Sequence, residues 1–252
     1  MTPALPPVIG HRGVAGLAPE NTLAGFRAAR ELGVQWVEFD VRLTGDRRAV
    51  LLHDERLDRT TDASGVLARL TLDEIAAADA GSWFGPRFSG EPVPTLEETL
   101  DLLLELGLGA VIELKADAGT EAELARTTAQ IVGSVWPSDR PGPMVSSFSG
   151  AALAAFGPAC PRGLLFGALP SDWRSQALAC GATSVHCAHA RLTRKRVAEA
   201  RAAGFPVLAY TVNHAGRLAE LSAWGVASVF SDRPDRLLDF ARGTQSAIRD
   251  GR

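Results

Sequence analysis

Cysteine is scarce in this sequence, and the few cysteines form no recognisable motif. The 252 residues include only Cys160, Cys180 and Cys187, and no two of them have the CxxC spacing of a redox or zinc site. An odd number of cysteines also argues against a disulfide framework. We therefore interpret the cysteines as packing residues and expect the protein in a reducing compartment, the cytoplasm.

Long apolar runs are missing as well. No segment approaches the roughly 20 consecutive apolar residues of a membrane-spanning helix. The first ten residues, MTPALPPVIG, have neither the cationic region nor the apolar length of a signal peptide. We therefore expect no membrane span.

Neither sign of charge dominates. Lys and Arg number 26 against 29 Asp and Glu, which gives a net charge of −3 at pH 7, and the basic residues form no stripe or tail. A protein whose main partner is a nucleic acid would present a basic surface. We therefore exclude nucleic acid as the main partner and expect a small-molecule substrate. Nothing in the composition indicates the oligomeric state.

The sequence does contain a repeated order of strand, loop and amphipathic helix. Helical segments such as TLEETLDLLLELG and RKRVAEARAAG follow short apolar strands. Eight segments fit barrel strands: PVIGH, WVEFDV, GAVIEL, PMVSSF, RGLLFG, TSVHCA, PVLAYTV and VASVFS. Eight strand-helix units favour one closed (β/α)8 barrel, a TIM barrel, over residues 1–252. A doubly wound open sheet is the alternative, although its GxGxxG motif is absent.

One segment interrupts the second of these units. After the strand WVEFDVRL, the turn TGDRR leads into AVLLHD, which we interpret as a hairpin strand outside the barrel. Residues 55–94 then contain polar loops, a short helix beginning TLDEI and the aromatic stretch GSWFGPRFSG. Long excursions between barrel elements are often lids or binding loops. We therefore predict that residues 55–94 form an insertion, a lid over the barrel mouth, in which Trp83, Phe84 and Phe88 contact the substrate.

Three carboxylates point into the predicted barrel. Strand alternation places Glu38 and Asp40 on the inward face, about 6.6 Å apart at two rises of about 3.3 Å, and Glu113 on the inward face of the next barrel strand. Such carboxylates would raise each other's pKa unless a cation lay between them. Ion pairs with Arg42 and Lys115 are the alternative. The position at the C-terminal ends of barrel strands favours a metal site, and ligands that are all oxygen favour Mg²⁺, Ca²⁺ or Mn²⁺.

Two histidines stand at strand ends beside these carboxylates. His11 ends the first strand and His53 ends the hairpin strand, so both should overlook the same mouth. Two imidazoles beside a cation can serve as a general acid and a general base near neutral pH. Arg12 and Lys115 add positive charge that suits a phosphate. Since GxSxG is absent and no serine or cysteine stands out as a nucleophile, we predict hydrolysis or transfer at phosphorus.

Nine short motifs occur in order along nearly the whole chain. They are HRG (11–13), PENT (19–22), EFDV (38–41), HD (53–54), RTT (59–61), ELK (113–115), SF (147–148), TVN (211–213) and SDRP (231–234). The ordered set resembles the glycerophosphodiester phosphodiesterase family. Two departures are Tyr210, where the family usually has tryptophan, and SDRP in place of TD-x-P.

The resemblance implies a TIM barrel with a small insertion after the HD strand, and hydrolysis of glycerophosphodiesters to sn-glycerol 3-phosphate and an alcohol. It implies His11 and His53 as the acid-base pair. It also implies Glu38, Asp40 and Glu113 as ligands of Mg²⁺ or Ca²⁺. We expect substrate contacts from six residues: Arg12, Glu20, Asn21, Lys115, Phe148 and Tyr210. Because no protein nucleophile is evident, the attacking group is water or a hydroxyl of the substrate, and we favour the glycerol 2-hydroxyl, which gives a cyclic phosphate.

Two alternatives stay open. Barrels of the sphingomyelinase D or lysophospholipase D type share the histidine and carboxylate pattern, but they lack a long insertion after HD and usually carry disulfides. A barrel that only binds a phosphate ligand should have lost a catalytic histidine or a metal ligand, and the sequence shows neither loss.

Overall fold

A computed structural model of the chain describes residues 5–239, and eight parallel strands in it form a closed barrel. The barrel strands are β1 (Val8–Gly10), β2 (Trp36–Leu43), β4 (Gly109–Leu114), β5 (Met144–Ser147), β6 (Arg162–Phe166), β7 (Ser184–Ala188), β8 (Val207–Tyr210) and β9 (Ser228–Ser231), and β3 (Ala49–Leu51) lies outside the barrel. Gly10 of β1 pairs with Ser231 of β9 on one side and with Val37 of β2 on the other. This closure confirms the TIM barrel and excludes the open sheet.

Helices cover the outside of the barrel. They are α1 (Leu23–Glu31), α3 (Leu96–Leu106), α4 (Glu121–Val135), α5 (Gly150–Phe156), α6 (Trp173–Ala179), α7 (Arg194–Ala202) and α8 (Ala215–Trp224), while α2 (Leu72–Ile75) lies in the insertion. A capping box begins α3: Thr95 Oγ1 accepts from the backbone N–H of Glu98, and Glu98 Oε2 accepts from the backbone N–H of Thr95. Gly107 ends α3 in the left-handed conformation that glycine adopts without a Cβ clash.

The hairpin and insertion predicted after β2 are present. The end of β2 extends past the barrel, and Val41 pairs in antiparallel register with Leu51 of β3. Residues 55–94 then form loops, short 3₁₀ turns and α2, whose N-terminus is capped by Thr71. The insertion has a small apolar core of its own, formed with the hairpin: Val50, Leu52, Leu57, Leu67, Ile75, Ala78, Ala80 and Val93.

Strand alternation separates the two faces of β2 as predicted. Val37, Phe39 and Val41 belong to the apolar layer between barrel and helices, whereas Glu38 and Asp40 lie on the inward face. Inside the barrel five apolar side chains form a cluster: Ile9, Val111, Met144, Leu208 and Phe230. The charged side chains gather at the C-terminal ends of the strands.

Two further sequence expectations concern helices. The segment DRLLDFARG, whose sequence favours a helix after the eighth barrel strand, runs past Asp239 and so lies partly outside the described residues. Among residues 5–239, no helix combines the length and apolar character that crossing a membrane requires.

Candidate active site

A pocket of about 300 Å³ opens at the C-terminal ends of the barrel strands. Eight of the predicted site residues line it: His11, Arg12, Glu38, His53, Glu113, Lys115, Phe148 and Tyr210. The remaining lining residues are Ser146, Leu165, His186, Thr211 and Phe230. The pocket therefore combines ionic side chains with apolar and aromatic ones, as suits a charged group joined to a small organic alcohol.

The three predicted carboxylates lie close enough to share one cation. One oxygen each from Glu38, Asp40 and Glu113 lies within 4.8 Å of the others, and all three side chains are buried. The parallel register pairs Asp40 directly with Glu113, which brings the two strands' carboxylates side by side. Glu38 Oε1 is buried and has neither a hydrogen bond nor an ion pair with the described residues. An unsatisfied buried oxygen among three carboxylates fits a divalent metal ion with oxygen ligands.

The pKa values of these carboxylates reflect their crowding. Burial, followed by the negative charge of Asp40, raises the pKa of Glu38 to about 8. Burial and the Asp40 charge also raise the pKa of Glu113. Burial works against ionisation of Asp40 too, but the charges of Lys115 and Arg12 lower its pKa. A bound cation would favour the ionised form of all three groups.

Two cations lie against the carboxylates. Lys115 Nζ is 2.6 Å from Glu113 Oε1 and 3.3 Å from Asp40 Oδ1. Arg12 Nε is 3.2 Å from Asp40 Oδ2, and the Arg12 backbone N–H donates to Glu38 Oε2 at 3.0 Å. Because Arg12 and Lys115 both line the pocket, they also face the space that a phosphate would occupy.

Each of the two predicted histidines has a carboxylate partner at Nδ1. His11 Nδ1 is 2.6 Å from Asp232 Oδ1, and His53 Nδ1 is 2.7 Å from Asp54 Oδ1. Arg42 Nε donates to the His53 carbonyl oxygen at 2.9 Å, which holds that backbone in place. With Nδ1 engaged, Nε2 of each ring is the nitrogen left for proton transfer.

The surroundings shift the pKa values of the two histidines in opposite directions. Burial would lower the pKa of His11, but the hydrogen bond to Asp232 and the charge of Glu38 outweigh it and raise that pKa. For His53 burial prevails over the charge of Asp40 and lowers the pKa. Two titratable groups with pKa values moved apart are suited to separate acid and base roles.

Glu20 and Asn21 stand behind the residues that line the pocket. Glu20 Oε1 accepts from Arg12 Nη1 at 2.8 Å, and Asn21 Nδ2 donates to Asp40 Oδ2 at 2.9 Å. The Asp40 backbone N–H donates to Asn21 Oδ1 in return. Neither Glu20 nor Asn21 lines the pocket, so their contact with substrate stays a prediction.

Sequence reasoning did not assign roles to four polar residues around the site: Asp54, Arg59, Asn213 and Asp232. Arg59 donates to both Asp54 and Glu20, and Asn213 Nδ2 donates to Asp232 Oδ2 at 3.0 Å. The available signal was position, since Asp232 directly follows a barrel strand at its C-terminal end and Asp54 directly follows His53.

The insertion does not meet the pocket through its aromatic side chains. Phe84 packs edge to face against both Trp83 and Phe88, with ring centroids 5.6 Å apart in each pair. None of residues 55–94 lines the pocket, so contact of these three aromatics with substrate stays a prediction. Phe148 and Tyr210 line it instead, with ring centroids 6.2 Å apart.

Comparison with known proteins gives the family. The model of the glycerophosphoryl diester phosphodiesterase family matches residues 11–236, which span every residue of the pocket. The chain belongs to the glycerophosphoryl diester phosphodiesterase family. It is therefore an enzyme of the phosphodiesterase class, and the family's enzymes share its barrel.

Individual relatives are similar to this phosphodiesterase over almost its whole length. A glycerophosphodiester phosphodiesterase of Caldanaerobacter subterraneus is 32% identical over 243 residues, which cover 93% of this chain and 97% of the relative. A phosphodiesterase of Oleispira antarctica, solved in complex with the product sn-glycerol-3-phosphate, is 37% identical. It superposes with a TM-score of 0.90 and covers 97% of both chains.

Proposed function

We propose that the enzyme hydrolyses glycerophosphodiesters to sn-glycerol 3-phosphate and an alcohol. The observation that carries the proposal is the arrangement of one pocket, in which three buried carboxylates, two cations and two carboxylate-paired histidines converge. The sn-glycerol-3-phosphate bound to the Oleispira antarctica phosphodiesterase supports this choice of substrate.

In this proposal Glu38, Asp40 and Glu113 hold a divalent cation, Mg²⁺, Ca²⁺ or Mn²⁺. Such a cation supplies positive charge to the phosphate oxygens and leaves the three carboxylates ionised. Arg12 and Lys115 bind the same phosphate from the protein side. Arg12 is paired with Asp40 and Lys115 with Glu113, so both side chains are in place before the substrate arrives. This preorganisation avoids reorganisation in the transition state.

His53 and His11 move the protons in this proposal. His53 takes the proton of the glycerol 2-hydroxyl at Nε2, the 2-oxygen attacks phosphorus, and the bond from phosphorus to the leaving alcohol breaks. His11 gives that alcohol its proton. The opposite pKa shifts support this assignment, because a lowered pKa leaves His53 neutral and a raised pKa leaves His11 protonated near neutral pH.

A five-membered cyclic phosphate follows from this internal attack. Water then opens the ring: His11, now neutral, takes the proton of the water, and His53, now protonated, returns a proton to the 2-oxygen. Both histidines thereby regain their starting states. Holding the 2-hydroxyl beside phosphorus makes the first step intramolecular, which lowers its entropic cost.

A substrate lacking the 2-hydroxyl tests the internal route. The analogue carries hydrogen in place of the hydroxyl and keeps the phosphodiester intact. We expect it to bind and to resist hydrolysis, measured as alcohol release beside the parent glycerophosphodiester. Equal rates for the two substrates would show that external water is the nucleophile, while the overall function would stand.

Two expectations from the sequence remain parts of the proposal. We propose a cytoplasmic location, supported by three cysteines that are all free and buried, and cell fractionation tests it. We also propose that residues 55–94 act as a lid that restricts access to the pocket. The support for the lid is the insertion's origin directly after His53 and Asp54, at the rim of the mouth.

A further inference from the structure

Arg59 makes bidentate contact with two carboxylates at once. Its Nη1 and Nη2 donate to Glu20 Oε2 and Oε1 at 2.9 and 2.8 Å. Its Nε and Nη2 donate to Asp54 Oδ2 and Oδ1 at 2.7 and 3.1 Å. A planar guanidinium with a fixed fork of donors can satisfy both partners together, and a lysine cannot.

Each of these carboxylates is in turn the partner of a pocket residue. Asp54 Oδ1 pairs with His53 Nδ1 at 2.7 Å, and Glu20 Oε1 accepts from Arg12 Nη1 at 2.8 Å. The result is a continuous chain of contacts from His53 to Arg12 with Arg59 at its centre. These contacts join three separate segments of the protein: the loop after β1, the end of the hairpin and the insertion.

The ionisation of Glu20 and Asp54 in this series of contacts depends on Arg59. Glu20 and Asp54 share one guanidinium, so without it two negative groups would face each other and repel. Hydrogen bonds from Arg59 lower the pKa of Asp54. Burial would raise the pKa of Glu20, but the hydrogen bonds from Arg59 and the charge of Arg12 lower it. Both groups therefore stay ionised acceptors for the residues they orient.

We propose that Arg59, a residue of the insertion that does not line the pocket, is a positioning residue that holds His53 and Arg12 in one geometry. The inference rests on the proposed function, in which His53 moves a proton and Arg12 binds phosphate. It also gives the RTT motif a physical role. A role limited to anchoring the insertion would predict effects on stability alone.

The test compares Arg59→Ala, Arg59→Lys and a matched control. Arg56 lies in the same loop and makes a bidentate pair with Asp58, yet it has no contact with the pocket or its supporting residues. We expect Arg59→Ala to lower kcat about 10- to 100-fold with a smaller change in KM, the scale for a misplaced catalytic group. Arg59→Lys should recover little, and Arg56→Ala should keep wild-type kinetics.

Chemical rescue separates positioning from anchoring. Methylguanidinium added to Arg59→Ala should restore part of kcat, while methylammonium at the same concentration should not. Circular dichroism and the Tm of each variant report whether it is folded, and Arg59→Lys supplies a second variant if Arg59→Ala is unstable.

Three outcomes would overturn the inference: wild-type kcat in Arg59→Ala, full activity in Arg59→Lys, or equal losses in the Arg56 and Arg59 variants. These outcomes are distinguishable from failure of the proposed function. If His53→Ala itself retains wild-type kcat, the proposed proton transfer is wrong. If His53→Ala is inactive while Arg59→Ala is fully active, only the positioning role is wrong.

Discussion

His11 Nδ1 lies 2.6 Å from Asp232 Oδ1, although 221 positions separate the two residues in the chain. The barrel brings them together because β1 and β9 are neighbours, and the His11 backbone N–H donates to the Ser231 carbonyl at 2.8 Å. His53 has the equivalent support from Asp54, which is its immediate neighbour in sequence. Closure of the barrel thus completes a symmetric pair in which each imidazole has one carboxylate.

The first prediction concerns the pH dependence of kcat/KM. The proposed mechanism requires a neutral His53 and a protonated His11, so the profile should be bell-shaped. The pKa of His53 is lowered from 6.5, which places the acid limb below that pH, and the pKa of His11 is raised from 6.5, which places the alkaline limb above it.

Asp232→Asn tests the assignment of the alkaline limb. The hydrogen bond to Asp232 raises the pKa of His11, so its loss should lower that pKa and move the alkaline limb to lower pH. Asp235→Asn is the control, because Asp235 pairs with Arg233 and contacts neither histidine. An alkaline limb that does not move in Asp232→Asn would contradict the role of His11 as the acid.

The second prediction is the cost of removing either histidine. His11→Ala and His53→Ala should each lower kcat by about 100-fold or more, the usual scale for a general acid or base, with a smaller change in KM. His214→Ala serves as the control, since His214 is exposed and does not line the pocket. Steady-state release of sn-glycerol 3-phosphate measures all three, and a kcat near the wild-type value in either pocket variant would reject its catalytic role.

The third prediction concerns the divalent cation. Excess chelator should abolish activity, and Mg²⁺, Ca²⁺ or Mn²⁺ should restore it. Binding is measurable without turnover: at a free cation concentration about 100 times Kd, the free energy of unfolding should rise by about 2.7 kcal/mol. Glu38→Gln should remove this stabilisation.

Glu123→Gln is the matched control for that experiment, because Glu123 pairs with Arg47 on the surface. The control should retain the cation-dependent rise in stability. Full activity in excess chelator, or a rise of equal size in Glu38→Gln, would show that Glu38, Asp40 and Glu113 do not hold the ion.

The fourth prediction tests the lid. Replacing residues 82–90 by a short Gly-Ser linker removes the aromatic tip of the insertion and leaves Asp54 and Arg59 in place. A lid predicts a changed KM for diesters with bulky alcohols and an unchanged kcat for the smallest substrate. Unchanged kinetics of the linker variant on every diester would reject the lid.

Local sequence patterns were enough to predict the barrel. All eight strand segments and the hairpin were predicted, because side-chain alternation is a property of neighbouring residues. The same alternation put Glu38, Asp40 and Glu113 on inward faces at strand ends, and parallel strands bring such ends together at one mouth. Residue type then indicated the chemistry, since oxygen ligands, imidazoles and cations suit a metal and a phosphate.

Tertiary structure decided which groups contact one another. The pairing of His11 with Asp232, and the contacts of Arg59 with Glu20 and Asp54, join segments whose spacing along the chain carries no information about distance. The direction of each histidine pKa shift depends on burial and on neighbouring charges, neither of which is a local property. The edge-to-face packing of Phe84 against Trp83 and Phe88 is likewise a property of the folded structure that composition alone did not indicate. The sequence by itself therefore determined the barrel and its chemical groups, while folding determined how those groups are oriented and charged.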